Sequence, residues 1–323
     1  MKNSDTTPEI VATDQDQVRR FIIEEHPVRG HWVHLEKAWR SVREHKDYPP
    51  PIRDLLGEAL SAAVLLAATL KFQGTLTLQL QGNGEVHLLV AQCTHDFRIR
   101  AVARYGKNPP LRSEAIDPNS FKHLVGDEGR VIVTIEAAER DMRYQGIVPL
   151  TGNSLSECLE SYFATSEQLP TKVRLVADAD RAAGFLVQRL PSAEQEKIFE
   201  FSDEDDPVEL RSPWEDAQHA ATELQAGELL GKSLEEVLLN HLGEHDVRLF
   251  KPQSVQFECR CNPERVHGIL RALGADEVRD VLKEQGSVTV TCDYCDRPYR
   301  FDAEDVERLF APAFVPSPPS SLQ

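Results

Sequence analysis

The sequence is poor in positive charge, in aromatic residues and in cysteine. Its 323 residues include 36 Lys or Arg against 53 Asp or Glu, a formal net charge of −17. That deficit of cations excludes a chain built to grip nucleic acid non-specifically, because phosphates are bound by Lys and Arg. It argues equally against docking on anionic membrane surfaces. Long apolar runs are absent too. The most apolar stretch, Ala59 to Leu70, is too short to span a bilayer and reads as a buried helix. The first seventeen residues are polar and lack the apolar core of a signal peptide. The expectation is therefore a soluble, cytoplasmic protein whose thiols are kept reduced. GxSxG and HExxH stretches are missing, and with them the common hydrolase signatures.

What is present suffices for a packed core, since 41% of the residues are hydrophobic. The length suits roughly two domains. Helices are expected over Asp14–Glu25 and His31–His45, and a long one over Ile52–Phe72 after the break DYPPP. The stretch TLTLQLQGNGEVHLLVAQC alternates with period two around Gly82-Asn83-Gly84 and reads as a β-hairpin. Further strands are expected at Phe97–Arg104, Arg130–Glu136, Arg143–Pro149, Thr171–Ala177 and Gly184–Leu190, with a helix at Ser154–Thr165. Strands and helices come in runs rather than in strict alternation, so the fold class is α+β.

Most of the excess acid sits in one place. Residues 191–258 carry a net charge of −12, and the stretch EFSDEDDPVE reads as a solvated linker. Amphipathic segments follow at Trp214–Gln225 and Leu234–Leu242, the second opened by a capping box of Ser233 and Glu236. The tail FVPSPPSSLQ has the composition of a disordered end. Apolar residues are interspersed among the linker acids: Phe199, Phe201, Trp214, Leu224, Leu229, Leu230, Val237, Leu238 and Leu239. They can cover an apolar surface of the N-terminal domain, while the crowded acids make that cover marginal.

Several local patterns look like sites and have plainer explanations. GELLGKS (227–233) is one residue short of a phosphate-binding loop and follows no strand, so it reads as a turn before a capped helix. No helix follows Gly82-Asn83-Gly84, which removes it as a dinucleotide fingerprint. His31 and His34 flank Trp32 without an acidic or thiol partner nearby and read as partly exposed surface histidines. Cys93 at a strand end and Cys158 in mid-helix read as buried core thiols.

The other four cysteines form the one strong pattern. Cys259 and Cys261 make CxC; Cys292 and Cys295 make CxxC; both pairs fall in the last fifth of the chain. Two close pairs supply the four thiolates that a tetrahedral zinc ion prefers. A domain as small as Val255 to Phe310 has little core, so its folding should depend on the metal. The same four residues admit a second chemistry. Two neighbouring pairs can be oxidised to local disulfides, which would remove the ligands and turn the site into an oxidant-sensitive folding switch. A constitutive zinc-ribbon interaction module and a thiol–disulfide oxidoreductase are the alternatives. The first lacks a basic surface for nucleic acid, since residues 259–323 carry net −3. The second calls for one exposed low-pKa thiol rather than four committed to a metal.

FECRCNPERV (257–266) and CDYCDRPYRF (292–301) resemble the zinc domain of the 33 kDa chaperonin family, bacterial redox-regulated heat-shock chaperones. The resemblance extends to DYPPPIRDLLGEALSAAVLLAATLKFQGTLTLQLQGNG (47–84), to YQGIVPLTGNSLSECLESYFATSEQLPT (144–171) and to VRLFKPQSVQFEC (247–259), and covers about Asp16 to Phe310. It implies an N-terminal α/β chaperone domain over 1–190, a metastable helical linker over 191–256 and a C-terminal zinc-binding redox-switch domain over 257–323. It implies a protein that is not an enzyme, holding one Zn2+ on Cys259, Cys261, Cys292 and Cys295 while reduced and inactive. On oxidation the disulfides Cys259–Cys261 and Cys292–Cys295 would form, zinc would leave, and the linker would unfold. The active form, dimeric in the family, would then hold unfolding client proteins without ATP. Asn262-Pro263 departs from the family's commoner Ser-Arg after the CxC, and touches no ligand cysteine.

Overall fold

The computed structural model describes residues 16–106, 120–126, 128–137, 143–150, 152–191 and 211–311. The acidic stretch EFSDEDDPVE with Phe199 and Phe201, residues 14 and 15, and the Pro/Ser-rich tail lie outside these. The chain divides into two compact units, Met1–Glu258 and Cys259–Gln323. It has both helices and sheets, as the α+β expectation requires.

The first unit begins with strands β1 (Gln17–Ile23) and β2 (Val28–Leu35), helix α1 (Lys37–Arg43) and the long helix α2 (Pro50–Thr69). Strands β3 (Gly74–Gln81), β4 (Val86–Thr94) and β5 (Arg98–Tyr105) follow, then the short helix α3 (Ser120–Val125), β6 (Arg130–Ala137) and β7 (Arg143–Pro149). Helix α4 (Leu155–Tyr162) runs into a π-helical turn at Phe163–Glu167 and leads to β8 (Thr171–Ala177) and β9 (Ala182–Arg189). Three helices, α5 (Pro213–Glu223), α6 (Ala226–Gly231) and α7 (Leu234–Leu242), precede the short strands β10 (Val247–Leu249), β11 (Gln253–Ser254) and β12 (Gln256–Phe257).

Two sheets result. One has the order β10-β1-β2-β9-β8, with β11 also on β1; the other runs β12-β5-β4-β3-β6-β7. All pairings are antiparallel except β12 on β5. Helix α2 lies between them. It opens on Pro50 and Pro51, whose missing N–H groups cost nothing in the first turn. Its apolar residues go almost all the way round, the pattern of a helix with neighbours on every side. Residues on successive sides of the helix, Leu60, Ala62, Ala63, Val64 and Leu65, are buried in one core with Leu76, Leu78 and Leu89 of one sheet and Val33, Leu175 and Leu186 of the other. Gly57 permits the closest approach: a Cβ there would lie 2.5 Å from that of Ala177.

The expected helices at Asp14–Glu25 and His31–His45 are corrected by the structure. Their described parts form β1, the turn 24–27, β2 and only the short α1. Both strands are covered on both faces, Val18 and Val33 on the α2 side and Phe21, Ile23 and Trp32 on the other. A strand buried twice loses the clean alternation that marks a half-buried one, and reads ambiguously. The same burial corrects the two histidines. His31 is 2% exposed and His34 7%. The remaining expected strands, the α2 helix and the hairpin stand where the sequence placed them, and the 154–165 helix ends in its π turn. Cys93 and Cys158 are buried thiols. GELLGKS is mostly the short helix α6 rather than a bare turn, and Ser233 caps α7 through Glu236.

The face of the first sheet turned away from α2 is covered by α5, α6 and α7. Ala217, Ala220, Ala221, Leu224, Leu229, Leu234, Val237, Leu238 and Leu242 form a second core with Phe21, Ile23, Val28, Trp32, Ala183, Phe185 and Val187. Trp214 and Leu230 pack on its border, whereas Leu239 is 74% exposed and covers nothing.

The second unit contains α8 (Pro263–Leu273), α9 (Ala275–Gln285), the hairpin β13 (Val288–Thr291) and β14 (Pro298–Phe301), and α10 (Ala303–Phe310). Among the described residues its buried apolar core is Val266, Leu270, Val278, Val288, Phe301, Val306 and Leu309.

Candidate metal centre

Two local structures bring the four cysteines together. Cys259 and Cys261 precede α8. The side chain of Asn262 accepts from the backbone N–H of Arg265 at 2.9 Å and Pro263 takes the first helical position, so the departure from the family's Ser-Arg is a well-formed helix start. Cys292 and Cys295 occupy the tip of the β13–β14 hairpin. The turn is closed by the Asp296 N–H on the Cys292 carbonyl at 2.9 Å and the Cys292 N–H on the Arg297 carbonyl at 3.0 Å, with Asp296 left-handed at φ 52°.

The sulfurs converge. All four ligand atoms lie within 4.8 Å of one another. Two close contacts run between the motifs, Cys259 Sγ to Cys292 Sγ at 3.6 Å and Cys261 Sγ to Cys295 Sγ at 3.4 Å. All four are free thiols, half-buried. A metal held by four tetrahedral sulfurs at about 2.3 Å places those sulfurs about 3.8 Å apart, close to what is observed. The four cysteines could therefore hold a metal ion, and soft thiolate donors suit zinc.

Their protonation is uneven. Burial pushes the Cys259 thiol well up, and that of Cys295 also goes up, chiefly by burial. Burial acts upward on Cys261 too, but the nearby Tyr299 hydroxyl and the three other thiols outweigh it and bring Cys261 down to about 7. The Tyr299 hydroxyl makes no regular hydrogen bond, so its influence is one of proximity. Arg297 is shifted up by Tyr299 first and then by the charges of Cys261 and Cys295. These two neighbours of the sulfurs do not stand out in the sequence. Their only signal there is position, two and four residues after the second motif, where a hairpin folds its return strand back on the site.

The architecture is that of a two-sheet α+β domain with a helical cover, followed by a small module organised by four thiols. Comparison with known proteins places it. The Hsp33 protein family model matches residues 16–302. The chain is 39% identical to the 33 kDa chaperonin of Chromobacterium violaceum, over 91% of this chain and 94% of that one. It is 42% identical to the 33 kDa chaperonin of Pseudomonas aeruginosa, over 92% and 95%. The crystal structure of the 33 kDa chaperonin (heat shock protein 33 homolog) from Thermotoga maritima is similar with a TM-score of 0.72 at 25% identity, covering 91% of this chain and 97% of that one. The chain belongs to the Hsp33 family of chaperones. Among the described residues no helix is long and apolar enough to cross a membrane.

Proposed function

We propose that the chain is a redox-regulated, ATP-independent holdase of the cytoplasm, with Cys259, Cys261, Cys292 and Cys295 as both zinc ligands and redox-active thiols. The observation that carries this reading is the convergence of two neighbouring-cysteine pairs on one four-sulfur site, in a unit whose described residues form a core of seven buried apolar side chains. Zinc, when bound, cross-links the segment before α8 to the β13–β14 hairpin and supplies folding free energy. Oxidation of each neighbouring pair joins two sulfurs. With hydrogen peroxide as oxidant, two thiolates lose two electrons, the O–O bond breaks, and two protons complete two waters. The products, Cys259–Cys261 and Cys292–Cys295, leave no thiolate to hold the unit together.

The helical cover of the first unit suits a conditional role. Each of its helices starts with a capping box, Ser212 with Glu215, Gln225 with Glu228 and Ser233 with Glu236. Its polar attachment to the sheet is sparse: His34 Nε2 and Arg181 to the Leu230 carbonyl, both at 3.0 Å, Arg174 to the Leu224 carbonyl at 3.2 Å, and Arg19 to Glu235. Beneath it Arg19 Nε, Trp32 Nε1 and His34 Nδ1 are buried with no partner. Buried polar groups without partners weaken an interface. Release of α5–α7 would expose Phe21, Trp32 and Phe185, an apolar patch able to bind unfolding clients. The oxidised form would pair as a dimer.

The test measures zinc and free thiols before and after peroxide, together with suppression of client aggregation. One zinc and four thiols lost with gain of suppression is expected. Zinc retained after oxidation, or an oxidised protein without holdase activity, overturns the reading. Turnover in insulin reduction would move it toward an oxidoreductase.

A further inference from the structure

Past the C-terminal end of α2, the same face of the first sheet becomes cationic. Arg20 on β1 stands opposite His31 on β2, and Ile22 stands between Arg29 of β2 and Arg248 of β10. Residues opposite one another on adjacent strands share a face. Arg20 is two residues on from Val18 and His31 two before Val33, so both lie on the face that carries α2. Arg20 and Arg29 are thus diagonal neighbours, their Cα atoms roughly 7–8 Å apart.

Both guanidiniums are held in place without a counter-charge. Arg29 donates from Nε and Nη2 to Gln188 Oε1 at 3.0 and 2.8 Å, and Gln188 in turn donates to Thr171 Oγ1 at 3.0 Å. Arg20 lies over the Phe250 ring, its Cζ 3.8 Å from the centroid. Arg248 approaches the same ring at 5.4 Å and is paired with Glu24 at 2.9 Å. Neither Arg20 nor Arg29 has a carboxylate partner among the described residues, in a chain with 17 more acids than bases. Beside them His31 is buried and its Nδ1 has no partner. Burial first, then the charges of Arg29 and Arg20, hold its imidazole down to about 3.

Two neighbouring guanidiniums without a counter-charge, above a buried neutral imidazole, match one ligand inventory. Hydrogen phosphate carries two negative charges, one for each guanidinium. A single carboxylate leaves one guanidinium uncompensated. We propose that Arg20 and Arg29, backed by Phe250 and with the buried His31 beneath them, form a binding site for a phosphate-class dianion on the N-terminal unit.

The test uses the reduced full-length protein at pH 7 and constant ionic strength, with orthophosphate, glycerol phosphate, acetate and chloride compared by calorimetry and thermal unfolding. Saturable 1:1 binding of orthophosphate with a raised Tm is expected. Binding of glycerol phosphate as well would identify a phosphorylated molecule as the ligand, and binding of orthophosphate alone the free ion. Arg29→Gln and the exposed Arg20→Gln should each weaken binding at least tenfold, and Arg279→Gln in the second unit should leave it unchanged. Phosphate indistinguishable from chloride, acetate binding as tightly, or full affinity in a folded Arg20→Gln protein each overturns the proposal. Because Arg20 is exposed, its variant decides the matter even where Arg29→Gln fails to fold.

Discussion

The first sheet has two apolar faces, and they are covered in different ways. On one side α2 inserts between two sheets, and its apolar surface meets side chains all round. On the other, three short acidic helices lie over Phe21, Trp32 and Phe185, with buried polar atoms left unpartnered beneath them. The residues on both sides are equally buried. What differs is continuity: α2 is one element of 20 residues wedged between layers, whereas the other cover consists of separate helices of 11, 6 and 9 residues with solvent behind them. Burial alone therefore does not rank the two covers. What separates the two is the number of layers around the element; unpartnered buried polar atoms occur under both, Ser61 Oγ and His31 Nδ1 on the α2 side.

The most drastic way to break the comparison is to remove the metal. A structural zinc site contributes on the order of 10 kcal/mol to the folding of its unit. Chelation, or Cys292→Ser, is expected to unfold the second unit and expose residues 211–258 to protease, while residues 50–105 stay protected. Equal loss of protection on both faces would remove the distinction. Next in size is Leu60→Ala in α2, expected to destabilise the first unit by about 3 kcal/mol in urea titration, because a fully enclosed cavity cannot collapse. Leu238→Ala on the opposite face should cost less in global stability and register mainly as faster local proteolysis.

Acid sharpens the contrast further. The folded pKa of His31 is about 3, below its ordinary value of 6.5. The unfolded chain therefore takes up the proton first, and stability held above pH 6.5 falls as pH drops toward 3. Down to pH 4 the loss is about 3 kcal/mol, and His31→Gln should abolish that part of the slope. Glu215, Glu228 and Glu236 are depressed below the usual carboxylate range, chiefly by backbone hydrogen bonds for Glu215 and Glu236 and by the Lys232 side chain for Glu228. Their contribution to the helical cover is present above the unfolded carboxylate value and fades only as pH falls through their folded values. Circular dichroism against pH should show the His31 slope beginning at higher pH than this loss. The smallest effect is expected from Trp32→Phe, which removes a buried donor with no partner. It should leave the first unit as stable or tighten the cover by up to about 1 kcal/mol, read as slower proteolysis of α5–α7.

Much of the candidate site is legible in the residues alone. Cysteines are rare here, so their spacing carries information that abundant residues cannot. CxC before a cappable helix and CxxC between two strands already imply two tips that must meet. The Ser233 capping box, the central hairpin and the long α2 are equally plain, because each is decided within a few residues of itself. The strands β1 and β2 are not. Phe21, Ile23, Val18 and Val33 serve two cores at once, and a segment buried on both sides shows no face to the reader of a sequence. His31 and His34 mislead for the same reason, their exposure being a property of α2 and α6 rather than of their own neighbours. Leu239 misleads in the opposite sense: its apolar character suggests cover, and the helix turns it outward.

The sequence by itself determined the family, the four-thiol motif and the concentration of acid between residues 191 and 258, because these rest on residue identity and local spacing. Only the tertiary structure decided that the four sulfurs lie within one ion's reach, that one sheet is covered by α2 on one face and by three separate helices on the other, and that Arg20, Arg29 and His31 stand together without a counter-charge among the described residues. Those facts depend on strand register and on which elements pack against which. Register is set by pairings between segments far apart in the chain, so no local reading of the residues contains it.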